Sequence, residues 1–360
     1  MKWNGSREVT ASAAGTGILV GLMAIVLSAC TSLGPRVMKP AQFEYNEAIG
    51  GSWNEQLLLN VVRIHYRDTP VFLEVDQILA GYTFETEAHA GLSVLPQVGS
   101  GVDRADGSLR GSLVERPTVT LTPLQGEAFT SRLLTPIAPE TLLLLAASGW
   151  QVERVMLCCV QQINDLRNLP ATLDADLDPP ESFSSFREVA QELEDVQQSD
   201  GLGIRVTVDG EGRSRVTIEG AGADYVRERM DLPSGRDEIP LTPAYAPAKP
   251  DEITLTGRSF LGVLTFLSRY VEAPPEHREA GLVEACADTT QGLAGPLFQV
   301  QSSDVKPKDV FVAVKYRGHW FSVPDSNLDA KETFGLLTQL FSLQASGQEG
   351  RSPLLTIPAG

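Results

Sequence analysis

The sequence is poor in the residues that build metal and catalytic sites. Only four histidines and four cysteines occur among its 360 residues. His65, His89, His277 and His319 lie far apart in the chain, and no two have the spacing typical of zinc ligands. The sequence also lacks a Gly-x-Ser-x-Gly elbow, a P-loop and a dinucleotide-binding fingerprint. We therefore predict no catalytic residues, no metal site and no cofactor.

Positive charge is also scarce. The 29 lysines and arginines are outnumbered by 46 aspartates and glutamates, which gives a formal net charge of −17. A surface this acidic repels phosphate backbones, so the charge argues against nucleic-acid binding. It also repels anionic lipid headgroups. Attachment to a membrane would then depend on a lipid tether and not on the body of the protein.

The apolar run near the N-terminus, Gly17–Ala29, is shorter than the about 20 residues needed to span a bilayer. It ends in Leu27-Ser28-Ala29-Cys30, which resembles the lipobox of bacterial lipoprotein precursors. We interpret residues 1–29 as a lipoprotein signal peptide and Cys30 as the lipidation site. Ordinary secretory cleavage and an uncleaved anchor are the alternatives.

The lipobox resemblance implies three acyl chains on mature Cys30, enough to hold the protein on the lipid bilayer permanently. Thr31 stands where an inner-membrane retention signal would usually place Asp. This favours the periplasmic face of the outer membrane.

Three cysteines remain beyond the lipobox, so at most one intramolecular disulfide can form. Export places Cys158, Cys159 and Cys286 in an oxidising compartment. Cys159 falls on an apolar helical stripe with Met156. It is predicted to be either a buried core thiol or one end of a disulfide, in which Cys158 or Cys159 pairs with Cys286.

The hydrophobic pattern alternates between helical and strand periodicity in mixed blocks without regular βαβ order, which predicts an α+β fold. The predicted helices cover residues 54–66, 125–134, 139–148, 150–167, 258–271 and 328–344, with another that starts at 185. The predicted extended segments cover residues 71–85, 117–121, 204–208, 215–219, 252–256, 311–316, 319–323 and 353–357. Residues 97–112 and 231–250 are predicted to be loops.

The domain organisation follows from these elements and from an acidic, proline-bearing stretch. We predict a tether at residues 30–45, an N-terminal α+β region at 46–169, a linker at 170–183 and a C-terminal α+β region at 184–360. This is one large domain or two small ones.

The predicted hairpin around Arg317-Gly318 has three side chains suited to binding a partner. Arg317, His319 and Trp320 lie at or beside its tip, and such residues often act as interface anchors. The alternative is that Trp320 packs on the neighbouring sheet face. In the same way, Tyr66-Arg67-Asp68 is interpreted as the end of the first helix and not as a ligand site.

Two stretches, NEQLLLNVVRIHYRDTPVFLEV at Asn54–Val75 and YRGHWFSVPDSNLDAKETFGLLTQLFSL at Tyr316–Leu343, resemble a family of functionally uncharacterised proteobacterial lipoproteins. This resemblance implies location in the cell envelope. It implies no activity and no site residues.

The sequence therefore predicts a non-enzymatic envelope lipoprotein that binds another envelope protein. The alternative is a periplasm-facing enzyme or small-ligand binder. A binding protein should have an exposed apolar patch, whereas an enzyme should have a deep pocket with converging polar groups.

Overall fold

The computed structural model describes residues 33–79, 82–93, 104–115, 118–170, 181–198, 203–208, 213–220, 223–230, 232, 238–243, 251–283 and 297–345. The chain divides into two compact units, Met1–Leu57 and Leu58–Gly360. The predicted signal peptide, Cys30, Cys286, the strand at 353–357 and most of the predicted linker lie outside the described residues.

Helices and strands alternate in mixed order, and the predicted α+β class is confirmed. The helices are α1 (Leu33–His65), α2 (Gly126–Phe129), α3 (Pro139–Ala147), α4 (Val152–Cys159), α5 (Phe183–Gln198), α6 (Ala223–Arg229), α7 (Phe260–Ser268), α8 (Pro275–Glu279) and α9 (Leu328–Ala345), with a π-helical turn at Thr130–Leu134. The strands are β1 (Leu73–Leu79), β2 (Tyr82–Ser93), β3 (Arg104–Glu115), β4 (Thr118–Pro123), β5 (Val160–Ile163), β6 (Leu166–Arg167), β7 (Gly203–Val208), β8 (Ser214–Glu219), β9 (Ile239–Pro243), β10 (Ile253–Gly257), β11 (Gln301–Ser303), β12 (Val310–Tyr316) and β13 (His319–Pro324).

The largest sheet has six strands in the order β6-β5-β10-β9-β8-β7. The strands β9 and β10 are parallel, and the other neighbours are antiparallel. Helix α3 lies against β7 and β10, and α4 packs against α5. Because β5 and β6 come from one side of the predicted linker and β7–β10 from the other, the two predicted α+β regions share this sheet.

Several predicted boundaries were wrong. Helix α1 begins at Leu33 and not at Asn54. The helix predicted at 150–167 ends at Cys159, because Val160–Ile163 forms a strand with β10, almost 100 residues further along the chain. The predicted loops 97–112 and 231–250 contain residues of β3 and the strand β9. These strands form through backbone pairing with distant strands, so local composition is a poor guide to them.

Two buried arginines connect distant parts of Leu58–Gly360. The guanidinium of Arg154 donates to the backbone and side chain of Asp329, to Glu332 and to Thr333, and so joins α4 to α9. Arg258 donates to the carbonyl oxygens of Leu157, Cys158 and Leu169 at 2.5–2.8 Å. Its guanidinium also lies 4.1 Å from the centre of the Phe266 ring. Such buried charges require these partners.

The three-stranded sheet β11-β13-β12 contains the predicted hairpin, whose turn is Arg317-Gly318. Both residues have positive φ, 46° for Arg317 and 94° for Gly318. This is the conformation that a two-residue type I′ turn requires, so the predicted hairpin and its turn are confirmed.

Candidate functional site

Strands β1–β4 form two antiparallel two-stranded sheets, and their residues (73–79, 82–93, 104–115 and 118–123) are here called the ribbon. Strand β1 pairs with β4, and β2 pairs with β3. The body of the protein holds its base. The side-chain amide of Asn60 donates to the carbonyl of Val71 and accepts from its N–H, at 2.8 and 2.9 Å. Phe72 is buried and stacks on Phe341, so the chain enters the ribbon from a fixed point.

At the base of the ribbon, formed by β1 and β4, a charged residue faces the body of the protein and apolar residues face solvent. This is the reverse of an ordinary surface sheet. Glu74 faces the body, where it forms an ion pair with the buried Arg132. The alternating apolar residues face outward. Leu73 is 40% exposed, Val75 37%, Val119 48% and Leu121 52%. Large apolar side chains are normally turned inward in a half-buried strand, so this face is a candidate binding surface.

Strand register places these four residues on one face. Val75 lies opposite Leu121, and residues two apart on one strand share a face. The register shifts between Val75 and Gln77, which indicates a bulge at Asp76. Beyond this bulge Ile78 lies opposite Val119, so its register position belongs to the same face.

A second candidate region is a cluster of histidine, tyrosine and charged residues, here called the histidine cluster: His65, Tyr66, Asp68, His277, Tyr316, Arg317 and His319. Three of the four histidines of the chain meet here. Tyr66 lies at its centre. The hydroxyl of Tyr66 shares a 2.6 Å hydrogen bond with Nδ1 of His277, and the ring contacts those of His65 and Tyr316. Burial raises the pKa of Tyr66 to about 12.

The histidine cluster attaches the β12–β13 turn to the end of α1. Arg67 ends α1 in the left-handed conformation, with φ of 60°, and the next residue is Asp68. The Asp68 carboxylate accepts hydrogen bonds from Tyr316 and Arg317, and these lower its pKa. The interpretation of Tyr66–Asp68 as a helix end was thus correct, but no sequence pattern indicated the contact with Arg317, about 250 residues away.

Burial lowers the pKa of two histidines in the cluster. For His65, burial is the larger cause and lowers the pKa. The hydrogen bond that Nδ1 donates to the Ser268 carbonyl at 2.9 Å raises the pKa by a smaller amount. For His277, burial is the largest cause and the nearby His319 adds to it. The rings of His277 and His319 meet edge to face, with centroids 4.7 Å apart. Both His65 and His277 therefore favour the neutral form.

His319 lies between two exposed carboxylates. Nε2 is 2.9 Å from Oε1 of Glu276, and Nδ1 is 2.9 Å from Oδ1 of Asp304. The Nδ1 contact is a close approach without hydrogen-bond alignment. The three residues could supply metal ligands, with ligand atoms within 4.8 Å of one another. However, the carboxylates approach opposite nitrogens of the ring, and one ion binds a histidine through only one of them. The arrangement is therefore a poor fit to a single metal ion.

The predicted partner contacts Arg317, His319 and Trp320 serve internal contacts in the structure. Arg317 is exposed and binds Asp68, while His319 is half-buried. Trp320 is also half-buried and lies beneath Lys306, whose Nζ is 5.2 Å from the ring centroid. Their role in binding a partner stays a prediction.

Cys158 and Cys159 are fully buried, and neither forms a disulfide with another cysteine of the described ranges. Burial raises the pKa of Cys158 to about 11 and that of Cys159 well above the usual value, so neither thiol is activated as a nucleophile. Because Cys286 lies outside the described residues, the disulfide between Cys159 and Cys286 stays a prediction.

A small cavity of about 50 Å³ lies in the core between the six-stranded sheet and its helices. Its lining includes Leu142, Val155, Met156, Val216 and Ile253, and every lining residue is apolar. An enzyme site would need polar groups that converge on a pocket, and this cavity has none.

No known protein-family model, no curated protein and no solved structure matches the chain. In the part of the chain that the structure describes, no helix is long and apolar enough to cross a membrane.

Proposed function

We propose that this chain is a lipid-anchored protein of the bacterial envelope that acts, without catalysis, as a binding or assembly component. Its anchor is acylated Cys30, and its place is the periplasmic face of the outer membrane. The proposal extends the sequence argument from the lipobox at Leu27–Cys30.

The observation that carries the binding role is the exposed apolar face at the base of the ribbon. Four large apolar side chains on one face are 37–52% exposed, while the opposite face contributes Glu74 to an ion pair with the body. Exposing apolar groups to water is unfavourable unless another molecule covers them. The histidine cluster is less suited to this role because hydrogen bonds within the protein already engage Tyr66, Asp68 and His277.

The first experiment tests the anchor. Cells that express the full-length chain are grown with labelled palmitate, alongside cells that express Cys30→Ala. We expect label in the parent protein and none in the variant. Label in both, or in neither, would contradict the assignment of Cys30 as the lipidation site.

The second experiment tests the binding role by crosslinking in cells, affinity purification and mass spectrometry. The informative pair of variants is Leu121→Lys, on the apolar face, and Thr120→Lys, on the next residue and the opposite face. Both positions are exposed, so neither change should unfold the protein. We expect a specific crosslinked protein that Leu121→Lys removes and Thr120→Lys retains. Recovery of no specific protein, or equal recovery with both variants, would refute this binding surface.

A further inference from the structure

We propose that the apolar cavity between the six-stranded sheet and its helices is a binding site for one small apolar group, such as a xenon atom or a short alkyl group. This inference goes beyond the proposed function. It depends neither on the lipid anchor nor on the ribbon.

The chemistry of the cavity wall selects the occupant. Side chains from α3, α4 and α5 meet those of β5, β8, β9 and β10 around the cavity, and no polar atom of the described chain reaches its surface. A buried water needs about two to four polar partners, which this wall does not offer. A hydroxyl or a charged group would lose its hydrogen bonds to bulk water there without replacement. The cavity therefore accepts only apolar groups.

The volume of the cavity sets the size of the occupant. An apolar protein cavity of about 150 Å³ takes up benzene, which corresponds to about 25 Å³ per carbon atom. The cavity of about 50 Å³ therefore holds about two carbon atoms or one xenon atom. Met156 and Met230 lie in its wall, and their flexible, polarisable side chains adjust readily to an occupant. Among the lining residues Leu143 is half-buried and the others are buried, which places the entrance beside Leu143.

Hydrogen bonds keep the helical part of the wall from collapsing into this space. The side-chain amide of Gln197, at the end of α5, accepts from the backbone N–H of Val152 and donates to the carbonyls of Ala146 and Trp150, at 3.0–3.3 Å. Ala146 and Val152 both line the cavity. One side chain thus fixes the spacing of α3, α4 and α5 where they surround it.

A second amide holds the part of the wall that belongs to the sheet. Asn164 lies between β5 and β6 in the left-handed conformation, with φ of 47°. Its side chain accepts from the N–H of Thr254 in β10 and donates to the carbonyl of Met230, both at 2.8 Å. A void in a protein core shrinks when the surrounding groups can relax into it. Because polar bonds fix these groups, the cavity persists as a site.

The test adds xenon, ethane or methanol to the full-length Cys30→Ala chain and follows its labelled methyl groups by NMR. Xenon and ethane should shift the resonances of Leu142 and Ile253, which line the cavity, in a saturable way, but not that of the exposed Val208. Methanol has as many non-hydrogen atoms as ethane but includes a hydroxyl, so it should give no saturable shift.

Val216→Ile is the variant that should abolish binding, because it places one more methylene in the cavity. The saturable shifts at Leu142 and Ile253 should be lost in Val216→Ile and retained in Val208→Ile, whose side chain is exposed. Urea unfolding checks that both variants are folded. Absence of saturable shifts in the parent chain would overturn the inference. Shifts that Val216→Ile retains, or equal shifts with methanol, would overturn it as well.

Discussion

The buried guanidinium of Arg258 allows the sharpest stability prediction. We expect Arg258→Ala to lower the free energy of unfolding by about 4 kcal/mol. The Leu157 carbonyl keeps a hydrogen bond from Asn168, but the Cys158 and Leu169 carbonyls lose the bonds that Arg258 donates. A buried polar group left without its partner costs about 1–3 kcal/mol, so two such carbonyls cost roughly 2–6 kcal/mol.

The charge and the planar geometry of the Arg258 guanidinium predict the order of stability among its variants. Burial lowers the pKa of Arg258 to about 10, so the group is still charged at pH 7 and its hydrogen bonds are charge-assisted. Arg258→Lys keeps the charge but not the planar arrangement of donors. Its free energy of unfolding should therefore lie between those of the parent and Arg258→Ala. The matched control is Arg205→Ala, because that side chain is 67% exposed and lies 3.9 Å from an exposed Glu219. The control should change stability by less than about 0.5 kcal/mol.

The assay is urea unfolding of the unlipidated chain, followed by circular dichroism at pH 7. The midpoint should fall strongly for Arg258→Ala and stay constant for Arg205→Ala, at similar slopes. A loss below about 1 kcal/mol for Arg258→Ala would refute the reasoning. It would mean that the Cys158 and Leu169 carbonyls find water or other donors when the guanidinium is removed.

Three further predictions concern pH and packing. The folded pKa of Asp68 lies below its unfolded value, so its contribution to stability is present above about pH 4 and lost as pH falls through the folded pKa. Asp68→Asn should therefore destabilise the protein at pH 7, and its difference from the parent in urea titrations should shrink as pH falls below about 4; a constant difference would contradict this. The folded pKa of His277 is also lowered, so stability should decline as pH falls below about 6.5, and His277→Gln should reduce that decline in thermal melts from pH 7.5 to 5.5. An unchanged decline would exclude His277 as its source. Val216→Ile adds one methylene to the apolar cavity and should raise the unfolding free energy by about 0.5–1 kcal/mol, whereas exposed Val208→Ile should not; a loss of stability would mean that the cavity cannot accommodate the group.

The sequence was a good guide where structure depends on neighbours in the chain. The β12–β13 hairpin was predicted within one residue at each strand end because its turn needs positive φ and Gly318 adopts it readily. The helix α9 was equally clear, since its periodic apolar residues Phe334, Leu337 and Leu340 are buried. The helix predicted through Ile163 failed because pairing with β10 overrides the helical pattern after Cys159.

In the candidate sites, too, local sequence indicated the elements, and contacts between distant residues decided their arrangement. The β-branched and aromatic residues of Val71–Glu85 indicated an extended segment, but such a composition does not reveal which face is turned outward. The ion pair of Glu74 with Arg132 and the burial of Phe72 decide that, and both depend on residues far away in the chain. The histidines looked unrelated because Tyr66 and His277 are 211 residues apart.

The amino-acid sequence by itself determined the α+β class, most helices and the tight β12–β13 hairpin, because local periodicity and turn chemistry specify them. Only the tertiary structure decided the mixed six-stranded sheet, the histidine cluster and the outward apolar face of the ribbon. It also decided the burial of Arg154 between two helices and of Arg258 among carbonyl oxygens. The physical reason is that burial and backbone pairing between distant segments are properties of the folded chain. No local pattern of residues contains the information about which distant groups will meet.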